Sequence, residues 1–273
     1  NFMLSRTSVN YDYGFITKLN GGTLRGLTLQ DFTINVSANG NCSIGALVGQ
    51  NYGLIENCSI EDCVGTYQMT QTSITVRFGV LVGHNQTTIK NCNVKASIDV
   101  KSNFYTSDSG HFYENINAGV AIGHNAGNVE NCSAQGNICA STWREVAAWS
   151  LDYYIIVGGF IGGQANTGVI KNCNSSVNVS TSCVQGKRAY NYTTTGGFIG
   201  YNIGRIESSY TTAKCTVRSN SFHQQQTGGF VGYNEPGSSI DSCYSFATVY
   251  AESGNTDLGG FAGNNNGSIR SCF

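Results

Sequence analysis

Gly45-Ala-Leu-Val-Gly49-Gln-Asn51-Tyr-Gly-Leu-Ile55-Glu56-Asn57-Cys58 decides the fold, because the chain keeps returning to it. The pattern is Gly, two or three apolar residues, Gly, a polar residue, Asn, a Gly-containing turn, Ile, a charge, Asn or Ser, then Cys. It recurs from Gly79-Val-Leu-Val-Gly83-His84-Asn85 to Ile89-Lys90-Asn91-Cys92, and from Gly119-Val-Ala-Ile-Gly123-His124-Asn125 to Val129-Glu130-Asn131-Cys132. Gly159-Phe-Ile-Gly162 leads to Ile170-Lys171-Asn172-Cys173, and Gly197-Phe-Ile-Gly200-Tyr201-Asn202 to Ile206-Glu207-Ser208-Ser209. The last two copies run from Gly229 to Cys243 and from Gly260 to Cys272, and a degenerate first copy spans Gly14 to Leu27. The eight leading glycines stand 31, 34, 40, 40, 38, 32 and 31 residues apart.

No single copy can bury an apolar face, whereas stacked copies can. Each holds short β-type runs bounded by Asn-Gly, Gly-Ser or Asn-Thr-Gly turn signals, with no 3.6-residue periodicity of useful length. The expectation is an all-β chain: a parallel β-solenoid (β-helix) of about eight coils, 31–40 residues each, forming a single repeat domain over residues 1–273. At about 4.8 Å per coil the rod is about 38 Å long. Two columns support this stacking. The residue after Ile reads Glu56, Lys90, Glu130, Lys171, Glu207, Asp241, Arg270, mostly alternating in sign, as a solvated face would use to hold register. Asn51, Asn85, Asn125, Asn202, Asn234 and Asn265 suggest an amide ladder along the axis, at a turn where left-handed backbone is tolerated.

Composition narrows the class further. Gly is 35 of 273 and Pro is 1, which excludes collagen, and a coiled coil is excluded because it would need about half Ala, Glu, Lys, Leu and Arg. A net charge of -1 gives no reason to expect nucleic acid as a partner. No run reaches 18 apolar residues, so no membrane insertion by a helix is expected. The chain opens at Asn1 without Met and stops just after Cys272. This is the expectation of a segment of a longer chain, or of a filament subunit that self-associates end to end.

The blocks GALVGQNYGLIENCS, GGFIGYNIGRIESSY and GGFVGYNEPGSSIDSCYS resemble GLUG-motif repeats over about Gly14 to Phe273. In that family the motif occurs in large secreted or surface proteins, among them adhesin-like proteins and regions attached to bacterial IgA-cleaving proteases. The resemblance implies a β-helical stalk or display module with no activity of its own. The 38–40-residue middle copies and the wealth of Asn-X-Ser/Thr depart from the family pattern.

Six of the eleven cysteines fall in one column: Cys58, Cys92, Cys132, Cys173, Cys243 and Cys272, with Leu27 and Ser209 in the same slot. Leu27 points the column inward. Two readings fit it: bridges between adjacent coils (Cys58–Cys92, Cys132–Cys173, Cys243–Cys272), or a ladder of reduced thiols acting as small apolar spacers. There is no paired CxxC, so zinc is not expected. Nine Asn-X-Ser/Thr sites occur. Asn57, Asn85 and Asn131 lie within the repeat core, where stacking would bury them; Asn35, Asn174, Asn178 and Asn191 lie between motifs and are the candidate N-glycosylation sites.

A β-helix can be an enzyme, but that needs carboxylates clustered across adjacent coils. The chain has only 16 Asp plus Glu, several of them in the charged column, and no nucleophile or phosphate motif. His84 and His124 share the slot before Asn in consecutive copies. Gln50, Gly163, Tyr201, Tyr233 and Asn264 fill it elsewhere, which reads as a tolerant exposed position. The better functional candidates are the long inter-motif stretches, where Phe104, Tyr105, Phe112, Tyr113, Trp143, Trp149, Tyr153 and Tyr154 concentrate. They could face a ligand or partner, or cap the solenoid as a satellite core. The expected function is therefore a non-catalytic extracellular or cell-surface structural or adhesive module: a stalk, display scaffold or filament building block, with no cofactor. Its partners would be other copies or flanking domains of the same chain. The alternative is a β-helix that binds or processes carbohydrate through the residue 100–155 aromatics.

Overall fold

The six inner coils each contribute at least one strand to each of four parallel sheets, while the first coil adds none to one sheet and the last none to another. A computed structural model describes residues 2–70, 74–106, 112–146, 151–185, 190–219, 225–252 and 256–273. One coil reads Cys42–Gly45, Val48–Asn51, Leu54–Glu56 and Ser59–Met69; the last three pair with strands one coil before and one coil after, and Cys42–Gly45 pairs with the strand one coil after and bridges to Tyr13 on its other side. Cys42–Gly45 belongs to a seven-stranded sheet. Val48–Asn51 and Leu54–Glu56 belong to two eight-stranded sheets, here the amide sheet and the charge sheet. Ser59–Met69 lies in an eleven-stranded sheet that holds the longest strands. This is the parallel β-solenoid of about eight coils that the repeat predicts. The degenerate first copy is genuine, since Ile16 pairs with Val48 and Leu24 with Ile55.

The core is a set of columns. Leu24, Ile55, Ile89, Val129, Ile170, Ile206, Ile240 and Ile269 stand in register, most of them fully buried. A second column trades volume between neighbours. Ala46-Leu47, Val80-Leu81 and Val120-Ala121 give way to Gly159-Phe160, Gly197-Phe198 and Gly229-Phe230, so a glycine makes room beside each larger ring. The rings then stack: Phe198 on Phe230 at 4.7 Å and Phe230 on Phe261 at 4.9 Å. The same trade corrects the repeat frame. Gly119 pairs with Gly158, not Gly159, so in the last four copies the glycine equivalent to Gly45 comes one residue earlier than the sequence pattern suggests.

The amide ladder forms as expected, entirely buried up to its last member. Asn51 Nδ2 donates to Asn85 Oδ1 at 2.8 Å, Asn85 to Asn125 at 2.8 Å, Asn202 to Asn234 at 2.8 Å and Asn234 to Asn265 at 2.8 Å. Gln164 fills the slot in the fourth GxxG copy, accepting from Asn125 at 3.2 Å and donating to Asn202 at 3.1 Å. The left-handed turn, however, lies elsewhere. Positive φ occurs at Gly26, Asn57, Asn91, Asn131, Asn172, Ser208, Ser242 and Ser271, the position before the Cys column. That corner turns its side chains outward, so Asn57 and Asn131 are exposed rather than buried. Only Asn85 of those three sequons is buried, by the ladder.

The charged column is in register throughout, and Arg25 extends it into the first coil. Glu56 departs from the solvated reading: it is 4% exposed, held between Arg25 and Lys90, whose Nζ lies 2.9 Å away. The hydrogen bond from Lys90, with Arg25 adding to it, holds the Glu56 carboxyl below its usual range.

None of the bridges Cys58–Cys92, Cys132–Cys173 and Cys243–Cys272 is formed in the structure, where all eleven cysteines are free. Each column thiol turns instead to the carbonyl two residues before it: Cys92 Sγ to Lys90 O at 3.2 Å, Cys132 to Glu130 O at 3.2 Å, Cys243 to Asp241 O at 3.2 Å. The sulfurs of Cys132, Cys173, Cys243 and Cys272 also accept a backbone N–H from the preceding coil, as Cys132 Sγ does from Cys92 N at 3.4 Å. Ser209 does both jobs, donating to Glu207 O at 2.8 Å and accepting from Cys173 N at 3.1 Å. It continues the column rather than dividing it.

Candidate functional site

The motif glycines create a crease. A Cβ at Gly123 would lie 2.6 Å from both Gly83 O and Phe78 N, and one at Gly162 would lie 2.5 Å from Ala118 N and 2.6 Å from Gly123 O. No side chain fits there, so glycine at this position lets the amide sheet fold tightly against the seven-stranded sheet. The outward faces of these two sheets thus become the walls of a longitudinal groove.

One wall is the slot before the amide ladder: Lys18, Gln50, His84, His124, Gly163, Tyr201, Tyr233, Asn264. The other is the column Ser43, Arg77, Asn117, Ile156, Thr194, Gln226, Asp257, with Thr75, Asn115, Tyr154 and Tyr192 two residues earlier on each strand. His84 is 9% exposed and meets His124 edge-on at 5.1 Å, so this slot is not the exposed position that its varied composition suggests. Burial, with Arg77 adding to it, pulls His84 down to about 4. Burial, then His84 and Arg77, pulls His124 down to about 3. Both rings are neutral at physiological pH. The Nδ1 of His124 and the Nε of Arg77 are buried without a hydrogen-bond partner among the described residues. Gly163 has no side chain to project, and the Asn117 amide occupies that space, donating to Asn115 Oδ1 at 3.1 Å.

Beyond Gly163 the groove becomes aromatic. Tyr154 stacks on Tyr192 at 5.0 Å on one wall, and Tyr201 on Tyr233 at 5.5 Å on the other. Together with Asn115, Ile156, Thr194, Gln226 and Glu235 they line an open cavity of about 440 Å³. Tyr201 Oη donates to Glu235 Oε1, and Asn266 Nδ2 donates to Tyr233 Oη at 2.8 Å. Burial, and then the Glu235 hydrogen bond, raises the Tyr201 phenol above its usual range.

The residues singled out in the sequence scatter across three places. Tyr154 lies in the groove and is 43% exposed. Phe104, Tyr105, Phe112, Tyr113, Trp143 and Tyr153 lie on the strands Asn93–Thr106, Phe112–Gly119, Ser133–Val146 and Leu151–Gly158. The long middle copies are therefore long because these strands of the eleven- and seven-stranded sheets extend on one edge. The side chains of these six, and all of Trp149, lie outside the described residues. Asn178 is exposed and donates to Asn137 Oδ1 at 3.2 Å; Asn35 and Asn174 are half-buried on the eleven-stranded sheet; the Asn191 side chain lies outside the described residues. Tyr192, Tyr201, Tyr233 and Glu235 were not singled out. A faint signal exists, since Tyr154 and Tyr192 each stand five residues before the leading glycine, and Tyr201 and Tyr233 share a slot in consecutive copies. No group of three or more potential metal ligands occurs among the described residues.

Fold and crease together define a parallel β-solenoid whose coils are creased at a Gly-apolar-apolar-apolar-Gly turn. Residues 153–180 and 223–250, two of these turns with their flanking strands, match the family model of the GLUG motif. No curated protein and no solved structure matches the chain.

Proposed function

We propose that the chain is a non-catalytic structural or adhesive scaffold at a cell surface or outside the cell: a stiff rod that spaces or displays its edges and its crease. The observation that carries this reading is the continuity of the amide ladder, which runs without a break from Asn51 to Asn265 and ties seven coils into one body. The GLUG motif and the exposed Asn-X-Ser/Thr site at Asn178 fit a surface setting. A binding rather than hydrolytic role is supported by the acid content of the groove. Its tyrosine-lined cavity carries one carboxylate among the described residues, Glu235, already engaged by Tyr201, whereas glycoside hydrolysis commonly uses two.

The test is antibody labelling of intact source cells: staining without permeabilisation is expected, and staining only after permeabilisation would overturn the surface assignment.

A further inference from the structure

We propose that the tyrosine-lined part of the crease binds a neutral oligosaccharide. This goes beyond the scaffold reading, since a rod without a ligand would still be a rod. The cavity of about 440 Å³ falls in the size range of small-ligand sites. Its chemistry is mixed in the way a sugar needs. Pyranose rings offer apolar C–H faces bordered by hydroxyls. Here Tyr154, Tyr192, Tyr201 and Tyr233 supply aromatic surface on both walls, while Asn115, Gln226 and Thr194 supply amide and hydroxyl groups between them.

Glu235 sharpens the ligand class. Its Oε1 is fixed by the Tyr201 hydroxyl, and its other oxygen has no partner among the described residues, leaving a charged acceptor for sugar hydroxyls at the rim. No Lys or Arg lines the cavity among the described residues, so a sulfated, phosphorylated or uronic-acid chain would meet Glu235 with no counter-charge. An extended peptide fits less well. The strands forming both walls here pair on both edges with the neighbouring coils, so no row of main-chain donors and acceptors is left for strand addition. Recognition must come from side chains, as it does for a saccharide.

The test is binding of the full chain to an array of neutral glycans, followed by calorimetry with cellohexaose, mannohexaose, xylohexaose and the best array hit. At least one neutral oligosaccharide is expected to bind. Tyr154→Ala should weaken that binding by about tenfold or more, equivalent to about 1.4 kcal/mol. Tyr201→Phe and Glu235→Gln, which keep the packing, should each weaken it about threefold or more, so the proposal stays testable if Tyr154→Ala disturbs folding. Tyr210→Ala, in a stacked pair with Tyr244 on the eleven-stranded sheet, should leave binding unchanged. Absence of binding to every neutral glycan, binding only to anionic glycans or proline-rich peptides, or equal loss in Tyr210→Ala would overturn the proposal.

Discussion

Ser209 shows what the cysteine column does. In this column a group that both accepts a buried N–H and donates to a carbonyl satisfies two main-chain atoms at each coil, and a thiol or a hydroxyl serves equally. Ser209→Ala should therefore cost about 1–3 kcal/mol by leaving the Cys173 N–H unpaired, while Ser209→Cys should cost under about 1 kcal/mol, both read from urea midpoints. Equal losses in the two variants would refute the hydrogen-bonding role. The same chemistry makes the thiols inert. Burial pushes Cys243 up to about 12, and the neighbouring Cys132 thiol is the main cause pushing Cys92 to about 12. Native protein titrated with a disulfide reagent should react first at Cys139, the exposed cysteine, while the nine buried ones wait for unfolding. Fewer than eleven thiols in denaturant without reductant would show that bridges form in the natural setting. The column itself was legible in the sequence. Its purpose was not, because Cys alone does not distinguish a bridge from a hydrogen-bonding corner.

At the level of the element, the crease rests on glycine. Gly83→Ala would drive a Cβ into the backbone at Ile44 and Ser43, with no flexible atom to yield, and should cost several kcal/mol. Gly260, in the same motif, has nothing within 4 Å, and Gly260→Ala should change the unfolding free energy by less than about 0.5 kcal/mol. Comparable costs at both sites would mean that the sheets do not meet as described. The crease also couples the fold to acid. His84 and His124 have folded-state values below their unfolded value of about 6.5, so the unfolded chain binds more protons. Stability is therefore full above about pH 6.5 and falls as the pH drops toward 4, by on the order of 3 kcal/mol for His84. His84→Gln should flatten part of that fall in denaturation measured from pH 7 to pH 4. An unchanged slope would place the pH dependence elsewhere. Strands and turns were readable here from alternation and from Asn-Gly punctuation. The crease was not, because it depends on the angle between two sheets. A slot filled by Lys, Gln, His, Gly, Tyr and Asn looks tolerant until the opposing wall is known. The double glycine Gly158-Gly159 hid the one-residue frame change for a similar reason: either glycine satisfies the pattern, and only pairing with Gly119 selects between them.

For the whole molecule, repetition made the architecture legible. Eight copies of one unit, each unable to bury its own face, leave stacking as the solution, and the charged and amide columns predicted from spacing run in register, while the leading glycines slip by one residue in the last four copies. The tyrosine groove was less legible because its four tyrosines come from three coils and spread over 79 positions that no single motif contains, as with Tyr154 beside Tyr192 and opposite Tyr233. The central claim is that the copies stack in register along one amide ladder. Nuclear Overhauser contacts between the side-chain amides of Asn85 and Asn125, 40 residues apart, test it most directly. A cross-peak between these amides, repeated for Asn51 with Asn85 and Asn202 with Asn234, is the predicted result. Its absence in folded protein would contradict the account.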